Sequence, residues 1–277
     1  FFSCFLLANN LPELGDYSSS KISESDEIFI GRQILFQVNQ SNSIVRDIEI
    51  NDYLDLLGKK LVNASTDPTK KIEFFIVRDS SINAFAMLGG VIGVHTGLFL
   101  AANTESELAS VISHEIAHIN QKHISRFLAQ QERASYQSTF IMAIALLLAR
   151  SNPALASATT TGASAGSVQG ALDFTRENEK EADRVGIQTL NKAGFDVRGA
   201  RDFFTTLKSA NQFSGGAAPA FLQTHPITSN RINDIESRLK DFPYKQMVDS
   251  QDFHYVKGKL KALLGDRDAT KNILEEN

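Results

Sequence analysis

The sequence predicts an α+β fold, mainly helical, in which a small sheet lies beside one buried helix. Three observations lead there. The segments IEFFIVRD (72–79) and GGVIGVHTG (89–97) are rich in β-branched and aromatic residues and are bounded by turn formers, as strands are. The stretch TESELASVISHEIAHIN opens on a capping signal and is apolar over most of its circumference, which marks a buried helix. A third stretch, RENEKEADRVGIQTLNKAG, keeps helical periodicity and stops at Gly194, a natural helix C-cap.

Composition sets the bounds. A chain of 277 residues, 42% hydrophobic and 22% charged, is globular and long enough for a large core. Its net charge of -4, with no basic block, argues against nucleic acid as a partner. The single cysteine, Cys4, excludes an internal disulfide, so any metal cage has to be built from histidine and carboxylate. Cys4 lies in the apolar run FFSCFLLA, which reads as the end of a secretory signal peptide closing near Ala8. Residues 1–10 are therefore expected to be a signal-peptide remnant, and the protein to be exported.

In chain order, residues 11–30 are polar and Ser-rich and read as a flexible lead-in. Helical patterns around 30–38 and 52–62 supply scaffold, and the two strands follow. Thr104 and Glu107 form a capping-box pair: the Thr hydroxyl can accept the amide hydrogen of residue 107 while the Glu carboxylate returns to the cap. The helix they open should run from about 105 to about 131. The run FIMAIALLLA (140–149) is about half the ~20 apolar residues a membrane span needs, so no integral membrane helix is expected there. The Ser-, Ala-, Thr- and Gly-rich stretch up to Gly170 reads as a mobile lid or a loose connector. NQFSGGAAPA (211–220) reads as a flexible loop, and two candidate helices close the chain near 253–264 and 269–276.

The chemistry is concentrated in SHEIAHINQKH. His114 and His118 are four apart, so on a helix they project from one face, one turn above the other, and can reach one ion. A catalytic zinc takes three protein ligands and leaves one position open, and HExxH supplies two of them. Glu115, on the flank of that face, is placed to take a proton from water and hand it to a leaving amine. His123 comes nine residues after His114, about half a turn around an unbroken helix, and should point to solvent or to a capping partner. Gln121 and Ile124 occupy the places where the metzincin pattern needs glycine and histidine, so the third ligand must come from elsewhere.

Glu177, Glu179 and Glu181 offer it, but each lies 200° from the next and they cannot all face one ion. Asp183 favours Glu179, because it falls four residues later on the same face, where it can accept the second ring N–H of a ligand histidine and fix its tautomer. Glu179 is thus expected as ligand and Asp183 as its support.

HExxH followed by an ExxAD helix resembles the zinc metallopeptidases related to the HtpX heat-shock protease and the CAAX prenyl protease. The resemblance runs through INAFAMLGGVIGVHTGLF, ESELASVISHEIAHINQKHISR, ENEKEADRVGIQTLNKAGFD and THPITSNR, and covers roughly residues 10–250. It is strongest toward the periplasmic branch that serves outer-membrane β-barrel assembly.

The resemblance implies a zincin-like (gluzincin) domain over 11–250 with one Zn2+ per chain, ligands His114, His118 and Glu179, and Glu115 as catalytic carboxylate. It implies that His225, in the TH-P loop, approaches the zinc as an extra, inhibitory ligand, and that Arg231 stabilises the oxyanion. It implies polypeptide substrates drawn from misfolded or stalled envelope proteins, the outer-membrane assembly machinery as a partner, and room for peripheral membrane contact. The alternative is a chaperone-like or binding protein with a latent zinc site. A substrate is expected to pair with the free edge of the strand carrying Gly90, Val91 and Ile92, with Asn83, Ala84 and Phe85 bordering the cleft and His95 packing the sheet. Periplasmic members carry a tetratricopeptide-repeat domain after the peptidase. Here residues 251–277 form a C-terminal helical segment, a candidate start of a repeat module but short of the ~3 repeats an array needs.

Overall fold

The structure, a computed structural model, describes residues 23–130, 176–213 and 219–265. The signal-peptide remnant (1–10), the apolar run 140–149 with the stretch up to Gly170, and the helix near 269–276 lie outside the described residues. No helix among the described residues is long and apolar enough to cross a membrane.

Helix α1 (Glu24–Gln40) starts inside the expected flexible lead-in, because Ser23 and Asp26 form a reciprocal capping box. Helix α2 (Ile48–Ala64) is capped by Asp47, which accepts the Ile50 amide hydrogen, and buries Ile50, Leu54, Leu57 and Leu61 along one face. Strands β1 (Glu73–Val77), β2 (Ala84–Met87) and β3 (Val91–His95) form one sheet in the order β1-β3-β2. β3 runs parallel to β1, with Phe74 opposite Ile92, and antiparallel to β2, with Ala86 opposite Ile92. The expectation of a free edge at Gly90, Val91 and Ile92 is therefore overturned: β3 is the central strand, and its main-chain groups are committed on both sides. The edge strand on that side of the sheet is β2. Gly89, at φ +76 between β2 and β3, passes so close to α1 that a Cβ there would strike Gly31 and the Glu27 carbonyl.

Helix α3 (Thr96–Ala101) begins where the second strand was expected to continue. Helix α4 (Glu105–Asn120) begins where the capping signal put it, and Thr104 Oγ1 accepts the Glu107 N–H at 3.1 Å. The Glu107 carboxylate, however, turns to the N–H of Asn103 at 3.0 Å instead of to Thr104. The helix also stops about ten residues short of the expected end. Lys122 takes φ +52, the left-handed conformation that closes helices, and its N–H bonds to Ile119 O. The chain then restarts in a new direction as α5 (His123–Gln130).

The remaining elements are α6 (Arg176–Lys192), α7 (Gly199–Phe213), α8 (Ala220–Thr224), α9 (Ser229–Leu239) and α10 (Gln251–Leu264). Residues 211–213, expected as loop, are the last turn of α7. α4 is the hub: α6, α7, α2 and β2 all pack on it. Gly186 lets α6 lie close, since a Cβ there would sit only 3.2 Å from the backbone of His114. α10 is part of the same core. Phe253, Val256 and Leu260 are buried in it, Phe253 stacks on Phe99, and the Glu105 carboxylate accepts from Tyr53, Ser250 Oγ and Ser250 N. A boundary at residue 250 would cut through this core.

Candidate metal centre

α4 carries His114 and His118 on the face it turns toward α6, which answers with Glu179 and Asp183; α8 ends on His225, and α9 supplies Arg231. All of these side chains are buried. One donor atom from each of His114, His118, Glu179 and His225 lies within 4.8 Å of the other three. Nε2 of His114 and Nε2 of His118 are 3.0 Å apart, and each lies 3.3 to 3.4 Å from a Glu179 oxygen. The two contacts go to different oxygens, Oε2 for His114 and Oε1 for His118, and spacings of this size are those of a zinc tetrahedron, whose arms of about 2.1 Å give edges of about 3.4 Å.

The surroundings fix what the donors present. Asp183 Oδ1 lies 3.0 Å from His114 Nδ1 and accepts its hydrogen bond, so that a metal ion would meet Nε2 as the ligand atom. Arg231 grips Asp183 with two bonds, Nε to Oδ2 at 2.7 Å and Nη2 to Oδ1 at 2.8 Å. Its Nη1 reaches both Glu179 Oε2 at 2.8 Å and the Pro226 carbonyl at 3.0 Å. The oxyanion role expected of Arg231 does not match this arrangement: its guanidinium is committed to orienting the two carboxylates and tethering the His225 loop.

Electrostatics follow from burial and neighbours. Burial disfavours the imidazolium of His114, but Asp183 and Glu179 outweigh it and raise its pKa to about 10. Burial takes His118 well below its ordinary value. Burial also works against ionised Glu179, yet His225 and His114 hold it well below the usual carboxylate range. The cluster thus calls for positive charge at its centre. Glu115, fully buried, is pushed upward by burial against the pull of His225, His114 and the Ala86 N–H.

His225 is no exposed loop residue. Its ring stacks on Phe221 with centroids 4.6 Å apart, Nδ1 lies 3.0 Å from Glu179 Oε1, and Nε2 lies 3.6 Å from Glu115 Oε1. Beside His114 lies a small recess lined by Val111, Ile187, Phe203, Phe204, Phe221 and Arg231. Asn83, Ala84 and Phe85 sit on or next to β2, which packs against α4. His95 is held by Ser81 Oγ at 2.8 Å, away from the donor cluster.

His123 is the residue that spacing misplaced. It is fully buried, with Nδ1 2.8 Å from His118 Nδ1 and Nε2 3.1 Å from Glu181 Oε2. The Lys122 turn folds it back toward α6, which an unbroken helix could not do. Burial lowers the pKa of His123, and bonds from His123 and Arg126 hold Glu181 at about 2.

Residues 50–239 match peptidase family M48. A Vibrio cholerae protein named as a β-barrel assembly-enhancing protease is 38% identical over 259 residues, 94% of this chain and 53% of that protein. The Escherichia coli K12 β-barrel assembly-enhancing protease is 33% identical over 272 residues, 97% of this chain and 55% of that protein. The mitochondrial metalloendopeptidase OMA1 of Schizosaccharomyces pombe is 29% identical over 194 residues, 70% of this chain and 54% of that protein. The chain spans about half the length of these relatives.

Proposed function

The chain belongs to peptidase family M48, and from that premise we propose that it is a zinc endopeptidase unit that hydrolyses peptide bonds in misfolded or stalled envelope proteins. The observation that carries the chemistry is the convergence of His114, His118 and Glu179 on one point, with Glu115 beside it and facing His225. Zinc, when bound, supplies a Lewis acid that acidifies water and polarises the scissile carbonyl. Glu115 accepts the proton from the attacking water and returns it to the leaving amine, a task that a buried carboxylate with a raised pKa suits. Asp183 and Arg231 keep His114 and Glu179 aimed.

Substrate docking falls to β2. In an antiparallel pair, hydrogen-bonded and open residues alternate, and the bond from His95 N–H to the Asn83 carbonyl fixes the phase. Ala84 and Ala86 therefore turn their main-chain groups away from β3, the Ala86 N–H toward Glu115, on the side where an extended peptide would add.

His225 in the donor cluster supports a self-inhibited resting state, and it also sustains a second reading, a chaperone-like binding protein whose zinc site is latent. The likeness to β-barrel assembly-enhancing proteases supports a periplasmic location, export by a signal peptide and work beside the outer-membrane assembly machinery. Zinc content measured together with casein cleavage, on the wild type and Glu115→Gln, tests the peptidase reading. Stoichiometric zinc in both with cleavage in the wild type alone is expected; zinc without cleavage in either transfers the weight to the binding protein.

A further inference from the structure

We propose that His123 and Glu181 form a relay that locks His118 in the tautomer a metal ligand requires. The inference rests on the zinc reading above and concerns residues that HExxH and ExxAD leave out.

Glu181 is a carboxylate and can only accept, so the nitrogen facing it at 3.1 Å, His123 Nε2, carries a hydrogen. A neutral imidazole holds one ring hydrogen, so His123 Nδ1 is an acceptor. The nitrogen opposite it at 2.8 Å, His118 Nδ1, must then be the donor. That leaves the lone pair of His118 on Nε2, the atom that faces His114 and Glu179. Reversing any one bond in the chain would place a hydrogen on Nε2 and close the site to a cation.

The relay has a counterpart across the ion. His114 gives its Nδ1 hydrogen directly to Asp183, whereas His118 reaches α6 through an intervening imidazole. Both anchoring carboxylates thus come from the helix that also donates Glu179, Glu181 two residues after it and Asp183 four. The left-handed Lys122 makes the second anchor possible, because it swings His123 under His118. Arg126, one turn along α5, also donates to Glu181 Oε2 at 3.0 Å, but it takes no part in the hydrogen count.

Zinc affinity by competition with a chromophoric chelator, together with 15N–1H spectra of histidine-labelled protein, tests this. Glu181 is the better target than His123, whose fully buried ring leaves more room for a folding defect. Glu181→Ala should weaken zinc about 10- to 100-fold, the usual cost of losing an outer partner of a ligand histidine. Glu181→Gln, which keeps an acceptor oxygen, should restore most of it, and Arg126→Ala should leave it near wild type. The spectra should place the hydrogen of His118 on Nδ1 and that of His123 on Nε2. Equal zinc affinity in Glu181→Ala and wild type, equal losses in Arg126→Ala and Glu181→Ala, or a His118 hydrogen on Nε2 would each overturn the relay while leaving the zinc reading intact. A wild type that binds no zinc would overturn both.

Discussion

Nε2 of His225 lies 3.6 Å from Oε1 of Glu115. The same ring stands 3.0 Å from Glu179 through Nδ1, so one imidazole spans the residue assigned to proton transfer and one assigned to hold the ion. His225→Ala removes that bridge without touching either carboxylate. Casein cleavage should rise severalfold, with zinc content unchanged and the fold intact by circular dichroism. Unchanged or lower cleavage would give His225 a passive or a catalytic part.

Glu179 and Glu177 are two residues apart on α6, one buried in the cluster and the other exposed. Glu179→Gln should weaken zinc at least about tenfold, because the amide cannot match a carboxylate against the cation. Glu177→Gln should leave it unaltered. Chelator competition on the two variants decides, and the reverse order would mean that another glutamate is the ligand.

Phe253→Ala tests whether α10 belongs to the folded unit. The ring is fully buried against Phe99, and its removal should cost about 3–5 kcal/mol. A urea midpoint unchanged from wild type would show that α10 is dispensable.

Glu107 supplies a pH prediction far from the ion. Burial raises its pKa above the value near 4.5 that the unfolded chain keeps, against bonds from Asn103 and Thr206 that lower it. The native state therefore holds its proton to higher pH than the unfolded state, and stability falls as pH climbs from about 4.5 through the native pKa. Glu107→Gln should remove that decline. Urea midpoints between about pH 4 and pH 7 should show wild type losing ground against the variant; a constant gap would rule the effect out.

Much of the centre was readable because it is local. His114, Glu115 and His118 lie within five residues of each other on one helix, and Glu179 and Asp183 share a face of another, so spacing alone brings out each pair. What spacing could not reach was made by long-range contact or by one backbone angle. His123 appeared to point away because the periodicity assumes an unbroken helix, and a lysine at φ +52 gives no sequence signal comparable to a glycine. β2 was missed because AFAM is short and lacks polar alternation. The central place of β3 was foreshadowed by Val91, Ile92 and Val94, which are apolar on both faces, as strands inside a sheet tend to be. The resemblance placed His225 and Arg231 at the centre, but only packing revealed that Arg231 grips Asp183.

The buried centre also has a sum of charges. Glu179 and Asp183, ionised, set two negative charges against the one positive charge of Arg231, all three sealed from water, and Glu115 adds a third when it ionises. The remainder is negative in either state, and a cation cancels it where a neutral guest does not. A low-dielectric interior penalises any residual, so electroneutrality itself favours a positively charged guest, before ligand softness or geometry narrows the choice further. Without such a guest the interior has to retain protons, and the raised pKa of His114 is where one would be kept. Loading the site near neutral pH is then an exchange of ions, with a proton released into solvent as the metal enters.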